Sequence, residues 1–175
     1  MSADTFTSAM FLITAVMAAG VLINAVFPVV YTMAGTFNTA SHQSDERMRT
    51  DFKIISTFVS TTASPRYATV WMKNVGSMRI ANTELERSDV FCGDVIQGYE
   101  RLTYTNNPVN SGEWGFDFFY PDYDLNNNGY WDPGETVAVY AVTNKILSTG
   151  SGGTAVYFQF ALPNGVWRTS EFTAR

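Results

Sequence analysis

A chain of 175 residues that is 46% hydrophobic and 15% aromatic has the material for one well-buried domain and little room for a second. Its net charge of -5 excludes the basic face with which a nucleic-acid binder displaces counterions, so no nucleic-acid partner is expected. The charges are also unevenly spread: after Asp4 no Asp, Glu, Lys or Arg occurs until Asp45.

Inside that gap, residues 9–30 read AMFLITAVMAAGVLINAVFPVV, interrupted only by polar Thr14 and Asn24 and by Gly20 and Pro28. About 20 residues at about 1.5 Å each cover a hydrocarbon core of about 30 Å, so the run predicts a transmembrane helix. The N-terminal anchor then occupies residues 1–34. A secretory signal peptide would have a basic start and a shorter apolar core, and residues 1–8 carry no Lys or Arg. The segment therefore reads as a retained anchor. Ala15, Ala18, Ala19 and Gly20 put small residues on neighbouring faces, which admits a second helix, although such residues are common in any membrane helix. Pro28 removes one backbone donor and is expected to kink the helix near its end.

Residues 31–48, YTMAGTFNTASHQSDERM, lack proline and extend the helix as a stalk over 35–49. His42, the only histidine, reads as a solvated stalk residue. Arg47, Arg49 and Lys53 follow the helix, and the positive-inside rule taken alone puts the C-terminal part in the cytoplasm. These charges lie far beyond Val30, and a large following domain crosses largely regardless of charge, so the orientation rests on the features described next.

From residue 50 to 175 short runs rich in Val, Ile, Thr and aromatics alternate with Gly, Asn, Pro and Ser, the pattern of strands and turns. The candidate strands are 51–57, 67–73, 89–92, 100–104, 116–119, 136–142, 154–162 and 166–172. In the second of these, Tyr67, Thr69 and Trp71 alternate with Ala68, Val70 and Met72, which marks two different faces. Pro163-Asn164-Gly165 supplies the positive φ of a tight hairpin. So many short strands behind one apolar helix predict a transmembrane α-helix followed by an all-β, immunoglobulin-like sandwich.

One motif carries chemistry. In DLNNNGYWDPGE, Asp124, Asn126, Asn128, the Tyr130 carbonyl, Asp132 and Glu135 fall at loop positions 1, 3, 5, 7, 9 and 12 of an EF-hand-type spacing, with Gly129 at the sharp turn. Hard oxygen ligands in that order point to calcium. The flanks are strand-like and Pro133 and Gly134 lie inside, so the loop reads as a staple rather than as a sensor that opens on binding. Few charged ligands imply a dissociation constant of about 10⁻⁴–10⁻³ M, which fills outside the cell and not in the cytosol. An ion-free Asn/Asp/Gly-rich turn is the competing reading.

Catalysis finds little support. The lone His42 lies in the stalk, and Cys92 reads as a small buried hydrophobe. Asp117, Asp122, Asp124, Asp132 and Glu135 cluster, but one cation accounts for their spacing better than a hydrolase does. Residues 148–154, STGSGGT, lack the Lys-Ser or Lys-Thr and the helix of a phosphate-binding loop and read as a hairpin tip. The aromatics Trp114, Tyr120, Tyr123, Tyr130 and Trp131 either face a protein or glycan partner or belong to the core.

Three segments, SDERMRTDFKIIS, YATVWMKNVGS and ALPNGVWRTSEF, together with the uncharged apolar helix, resemble the FlaG accessory proteins of the archaellum, in the FlaF/FlaG family with a type IV pilin-like helix. The similarity runs from about residue 5 to 172 and is carried most clearly by residues 49–56 and 73–76. It implies a stator component: the helix in the cell membrane, the immunoglobulin-like domain in the pseudoperiplasm, and partners in a FlaF-like protein, the surface layer and further copies of the chain. The calcium-like loop is not part of what the resemblance implies. Archaellins and archaeal pilins share the helix-plus-β-domain plan and form the alternative. Their precursors resemble one another in a short basic leader ending at a glycine, and residues 1–9 contain no Lys, Arg or Gly, which favours the stator. A calcium-dependent surface-binding module without a motility role is the third reading.

Overall fold

The computed structural model describes residues 2–116, 124, 126–147 and 155–173. It falls into two compact units, Met1–Ser44 and Asp45–Arg175.

Helix α1 runs without a break from Ser2 to Arg49, through Gly20, Pro28 and Gly35, so the apolar run and the polar stalk are one element. At about 1.5 Å per residue it is about 70 Å long. It is the one helix among the described residues that is long and apolar enough to cross a membrane. Its hydroxyls do not interrupt it, because they bond to its own backbone. Thr7, Thr14, Thr32 and Thr39 donate to the carbonyls of Ala3, Met10, Pro28 and Gly35 one turn back, and Thr36 donates to that of Met33. Every residue from Ala3 to Asp45 is exposed.

The second unit holds the strands β1 (Phe52–Ser60), β2 (Tyr67–Asn74), β3 (Ile80–Ala81), β4 (Asp89–Asp94), β5 (Gly98–Tyr104), β6 (Glu113–Phe116), β7 (Tyr130–Trp131), β8 (Thr136–Val142), β9 (Ala155–Ala161) and β10 (Trp167–Thr173), with a short helix α2 (Asn82–Glu86). Eight of them follow the order β1-β2-β8-β6-β5-β4-β9-β10, and β3 pairs separately with β7. All pairs are antiparallel except β5 with β6, which meet only at Thr103–Glu113 and Tyr104–Trp114. That short parallel contact divides the order into two layers, β1-β2-β8-β6 and β5-β4-β9-β10. An immunoglobulin sandwich sets its first, second, fifth and fourth principal strands against its third, sixth and seventh. Counting β5 as an extra strand beside β4, and β3 and β7 as insertions, this chain has that arrangement.

The core forms where the inward residues of the two layers meet. Ala68, Val70 and Met72 of β2 and Val137, Val139 and Ala141 of β8 face Val90 and Cys92 of β4 and Val156, Phe158 and Phe160 of β9, all buried. Phe160 lies edge-on to Phe52 at 5.6 Å and to Trp114 at 5.8 Å, and Phe52 lies 5.9 Å from Trp131. The expected alternation in β2 therefore points Ala68, Val70 and Met72 inward. Burial pushes the Cys92 thiol up to about 12, which suits a packed apolar residue and not a nucleophile.

Two expectations shift. The strand expected at 116–119 is instead β6, which begins at Glu113. The rest of that segment lies outside the described residues, as do Asp117, Tyr120, Asp122, Tyr123, Thr154 and the 148–154 tip. Trp114 and Trp131, two of the aromatics considered for a partner surface, are fully buried.

Candidate functional site

Between Asp124 and Glu135 the loop is folded by its own side chains. The Asp124 carboxylate accepts the Asn128 amide N–H at 3.0 Å and the Gly129 N–H at 2.7 Å, so positions 5 and 6 wrap around position 1. Asn126 Oδ1 accepts from Asn128 N and Asn128 Oδ1 from Tyr130 N, two Asx turns in series. Gly129 sits at φ +77°, which a side chain rarely adopts. The Asn126 and Asn128 amides both donate to Asp132 Oδ2, at 2.9 and 2.7 Å. Glu135, mostly buried, accepts from Asp132 N at 2.8 Å and so faces back toward position 9. Among the described residues no three His, Cys, Asp or Glu side chains gather as a metal-holding group.

The donated amide bonds of Asn126 and Asn128, with a smaller contribution from Arg79, hold the Asp132 carboxyl below the usual carboxylate range. A depressed folded-state pKa means stability that is present above the unfolded carboxylate pKa and is lost as pH falls through the lower folded value. The Asn126 and Asn128 side-chain amide resonances should therefore keep their folded shifts down through the ordinary carboxylate range and collapse only below it. Collapse already near the ordinary aspartate pKa would contradict the arrangement.

A second cluster, which sequence reasoning did not single out as a site, lies where α1 ends, within the Asp45–Arg175 unit. The last carbonyls of a helix have no intrahelical donors. Here Arg49 O accepts the N–H groups of Ser77 and Met78 at 2.9 and 3.1 Å, and Asp51 O accepts those of Val75 and Gly76. The approach is so close that a Cβ on Gly76 would stand 2.5 Å from both Arg49 O and Asp51 N, so only glycine fits. Asn74, fully buried, braces this turn from within: Nδ2 donates to Met78 O and Trp131 O, each at 2.9 Å, and Oδ1 accepts Gly76 N. Its backbone pairs with Gly134 N and Glu135 O, which ties the far end of the 124–135 loop to the same place.

On the other flank Arg47 Nε donates to Asn164 O at 2.6 Å, Asn164 Nδ2 donates to Thr50 Oγ1, and Arg168 pairs with Asp51 and lies 5.8 Å over the Phe52 ring. The turn that holds Asn164 is the Pro163-Asn164-Gly165 hairpin expected from the sequence, with Gly165 at φ +85°. The three segments that carry the family resemblance thus meet in one joint. They are far apart in the chain and share one physical task, fixing the last turn of α1 into the sandwich.

A long apolar helix continuing into an immunoglobulin-like sandwich, with its polar side chains spent on a joint and a folded loop, defines a pilin-like structural protein. The chain belongs to the archaeal-type flagellin family, whose model matches residues 8–172. It is an archaellum-associated structural protein. A relative from Archaeoglobus fulgidus, described as an uncharacterized protein, is 27% identical over 173 residues, 99% of each chain. Among solved structures the chain is similar to the archaellum periplasmic stator protein FlaG of Sulfolobus acidocaldarius, at 20% identity and a TM-score of 0.50 over 70% of this chain and 99% of that one. It is similar to the stator complex of FlaF and FlaG from the same organism, at 21% identity and 0.50 over 69% and 87%. The archaeal flagellum of Methanospirillum hungatei strain JF1 is similar at 16% identity and 0.54 over 92% and 90%. At these identities the likeness is one of fold.

Proposed function

We propose that this chain is a membrane-anchored, non-enzymatic stator component of the archaellum, with its β domain outside the cytoplasm between the membrane and the surface layer. The observation that carries the proposal is the 9–30 run of α1: exposed, apolar apart from Thr14 and Asn24, and with the Thr14 hydroxyl returned to the helix's own Met10 carbonyl, as hydrocarbon surroundings favour. A FlaF-like protein, the surface-layer protein and further copies of the chain are the proposed partners. The joint supports a mechanical role, since force on the sandwich reaches the last turn of the helix through paired backbone groups and an ion pair rather than through a slack linker.

A filament subunit is the second reading, favoured by the likeness to the flagellum filament, which extends over 92% of this chain. Shearing filaments from cells separates the two. A stator stays with the envelope fraction, and protease added to whole cells removes its β domain while leaving α1. A subunit leaves with the filaments as their major band, and that result would sink the stator reading.

The 124–135 loop is proposed to bind calcium through Asp124, Asn126, Asn128, the Tyr130 carbonyl, Asp132 and Glu135. Support comes from the way Asp124 gathers the N–H groups of positions 5 and 6 and from the Gly129 turn, which pre-shape the loop. With a dissociation constant of about 10⁻⁴–10⁻³ M, about 10 mM calcium should stabilise the folded chain by about 1–3 kcal/mol, and Asp124→Asn with Asp132→Asn should abolish the gain. An equal thermal shift in that double variant would show that calcium does not bind at this loop. A structural staple predicts lost stability on chelation, whereas a calcium-dependent surface-binding module predicts lost ligand binding.

A further inference from the structure

We infer that Asn24 is the polar lock of a helix–helix contact between copies of this chain inside the membrane. The inference rests on the reading of α1 as a membrane span and names the residue through which that span self-associates. Residues 9–30 contain two polar side chains. Thr14 returns its hydroxyl to Met10 O at 2.8 Å, and the helix needs nothing more for it. Asn24 is exposed, and among the described residues its carboxamide has no hydrogen-bond partner.

The backbone adds to the same spot. Pro28 has no N–H, so the carbonyl four residues before it, that of Asn24, lacks its α-helical donor. Two amide N–H groups, a side-chain oxygen and this carbonyl are therefore concentrated at one level of an apolar helix. That level lies about 9 Å inside the end of the run at Val30, below the depth at which water readily serves. Polar groups left unpaired in hydrocarbon are strongly unfavourable, and an interhelical bond is the usual remedy.

The face around Asn24 suits close approach. At about 100° per residue, Gly20, Val21, Phe27 and Pro28 lie within about 60° of it, and Met17 and Tyr31 within about 20°, so the small residue lies on its N-terminal side and the stacked Phe27 and Tyr31 rings on its C-terminal side. A Cβ built on Gly20 meets nothing within 4 Å, so a neighbouring backbone can settle there one turn from the amide. Ala15, Ala18 and Ala19 fall on other faces and stand outside this seam.

The occupant is a second copy. A carboxamide is donor and acceptor at once, so two Asn24 side chains satisfy each other without any further residue type. Copies inserted in one orientation are parallel and place Asn24 at equal depth, which a different protein would have to match by its own sequence.

The test uses the purified full chain in phosphatidylglycerol-containing vesicles, with self-association read by energy transfer between labelled copies. Asn24→Leu should weaken association about 3- to 30-fold, the range for interhelical polar bonds, Gly20→Leu should weaken it as well, and Asn24→Gln should retain it. In a Cys92→Ala background, Met17→Cys and Val21→Cys should cross-link, and Leu22→Cys and Val26→Cys on the opposite side should not. Unchanged association of Asn24→Leu, or cross-linking equal from all faces, would overturn the contact. Release of the wild-type chain from membranes by alkaline carbonate would instead overturn the anchor on which it rests, and the two failures are told apart by that extraction.

Discussion

Asn74→Ala is expected to lower the stability of the folded chain by about 3 kcal/mol or more. The side chain is fully buried and makes three hydrogen bonds, to Met78 O, Trp131 O and Gly76 N. Truncation leaves Met78 O and Trp131 O short of a donor at the joint, while Gly76 N keeps Asp51 O, and each buried orphan costs about 1–3 kcal/mol. The effect should also be local before it is global. Released from Asn74, the Gly76–Met78 turn loosens from Arg49 O and Asp51 O, so the amide protons of Val75, Gly76, Ser77 and Met78 should exchange faster than those of β9. Hydrogen exchange on the full chain in detergent checks this. Unchanged protection at Ser77 and Met78 would mean that the turn is held by packing alone.

Phe160→Ala is the other large effect, about 3–5 kcal/mol, because truncating a fully buried aromatic adds an unfilled cavity to the lost burial. Phe160 is the ring between the layers, edge-on both to Phe52 behind the joint and to Trp114 on β6. Its loss should shift the thermal midpoint down by about 10 °C or more in a domain of this size. Phe160→Leu keeps most of the volume and should lose well under half as much. A small shift for Phe160→Ala would show that the two layers close over the gap.

How much of this was legible in the residues depends on the range of the interaction that sets each element. The charge gap and apolar run gave α1, a local property of the chain, and the strand expected at 136–142 has the bounds of β8 because its valines and alanines fill both of its faces. The Pro163-Asn164-Gly165 turn was legible for the same reason, as a φ requirement. The pair β3–β7 was not, since two residues on each side have no periodicity, and Asn74 holds Trp131 beside it from 57 positions away. Trp114 and Trp131 looked as free to face a partner as to pack, because a run of aromatics does not reveal which side of a strand is inward. The turn at Gly129 was readable from the Asn/Gly run, as another φ requirement. The joint was readable only as segments of family likeness, since nothing local announces that Gly76 must clear a helix terminus.

A stator role, as against a filament subunit or a free-standing binding module, is decided by deleting the gene in its archaeal host. Swimming and surface filaments are then scored on the same cells, with the assembly machinery still expressed. Swimming should stop while the filament retains a different major subunit. Wild-type filaments built from this polypeptide, or normal swimming in the deletion, would contradict it.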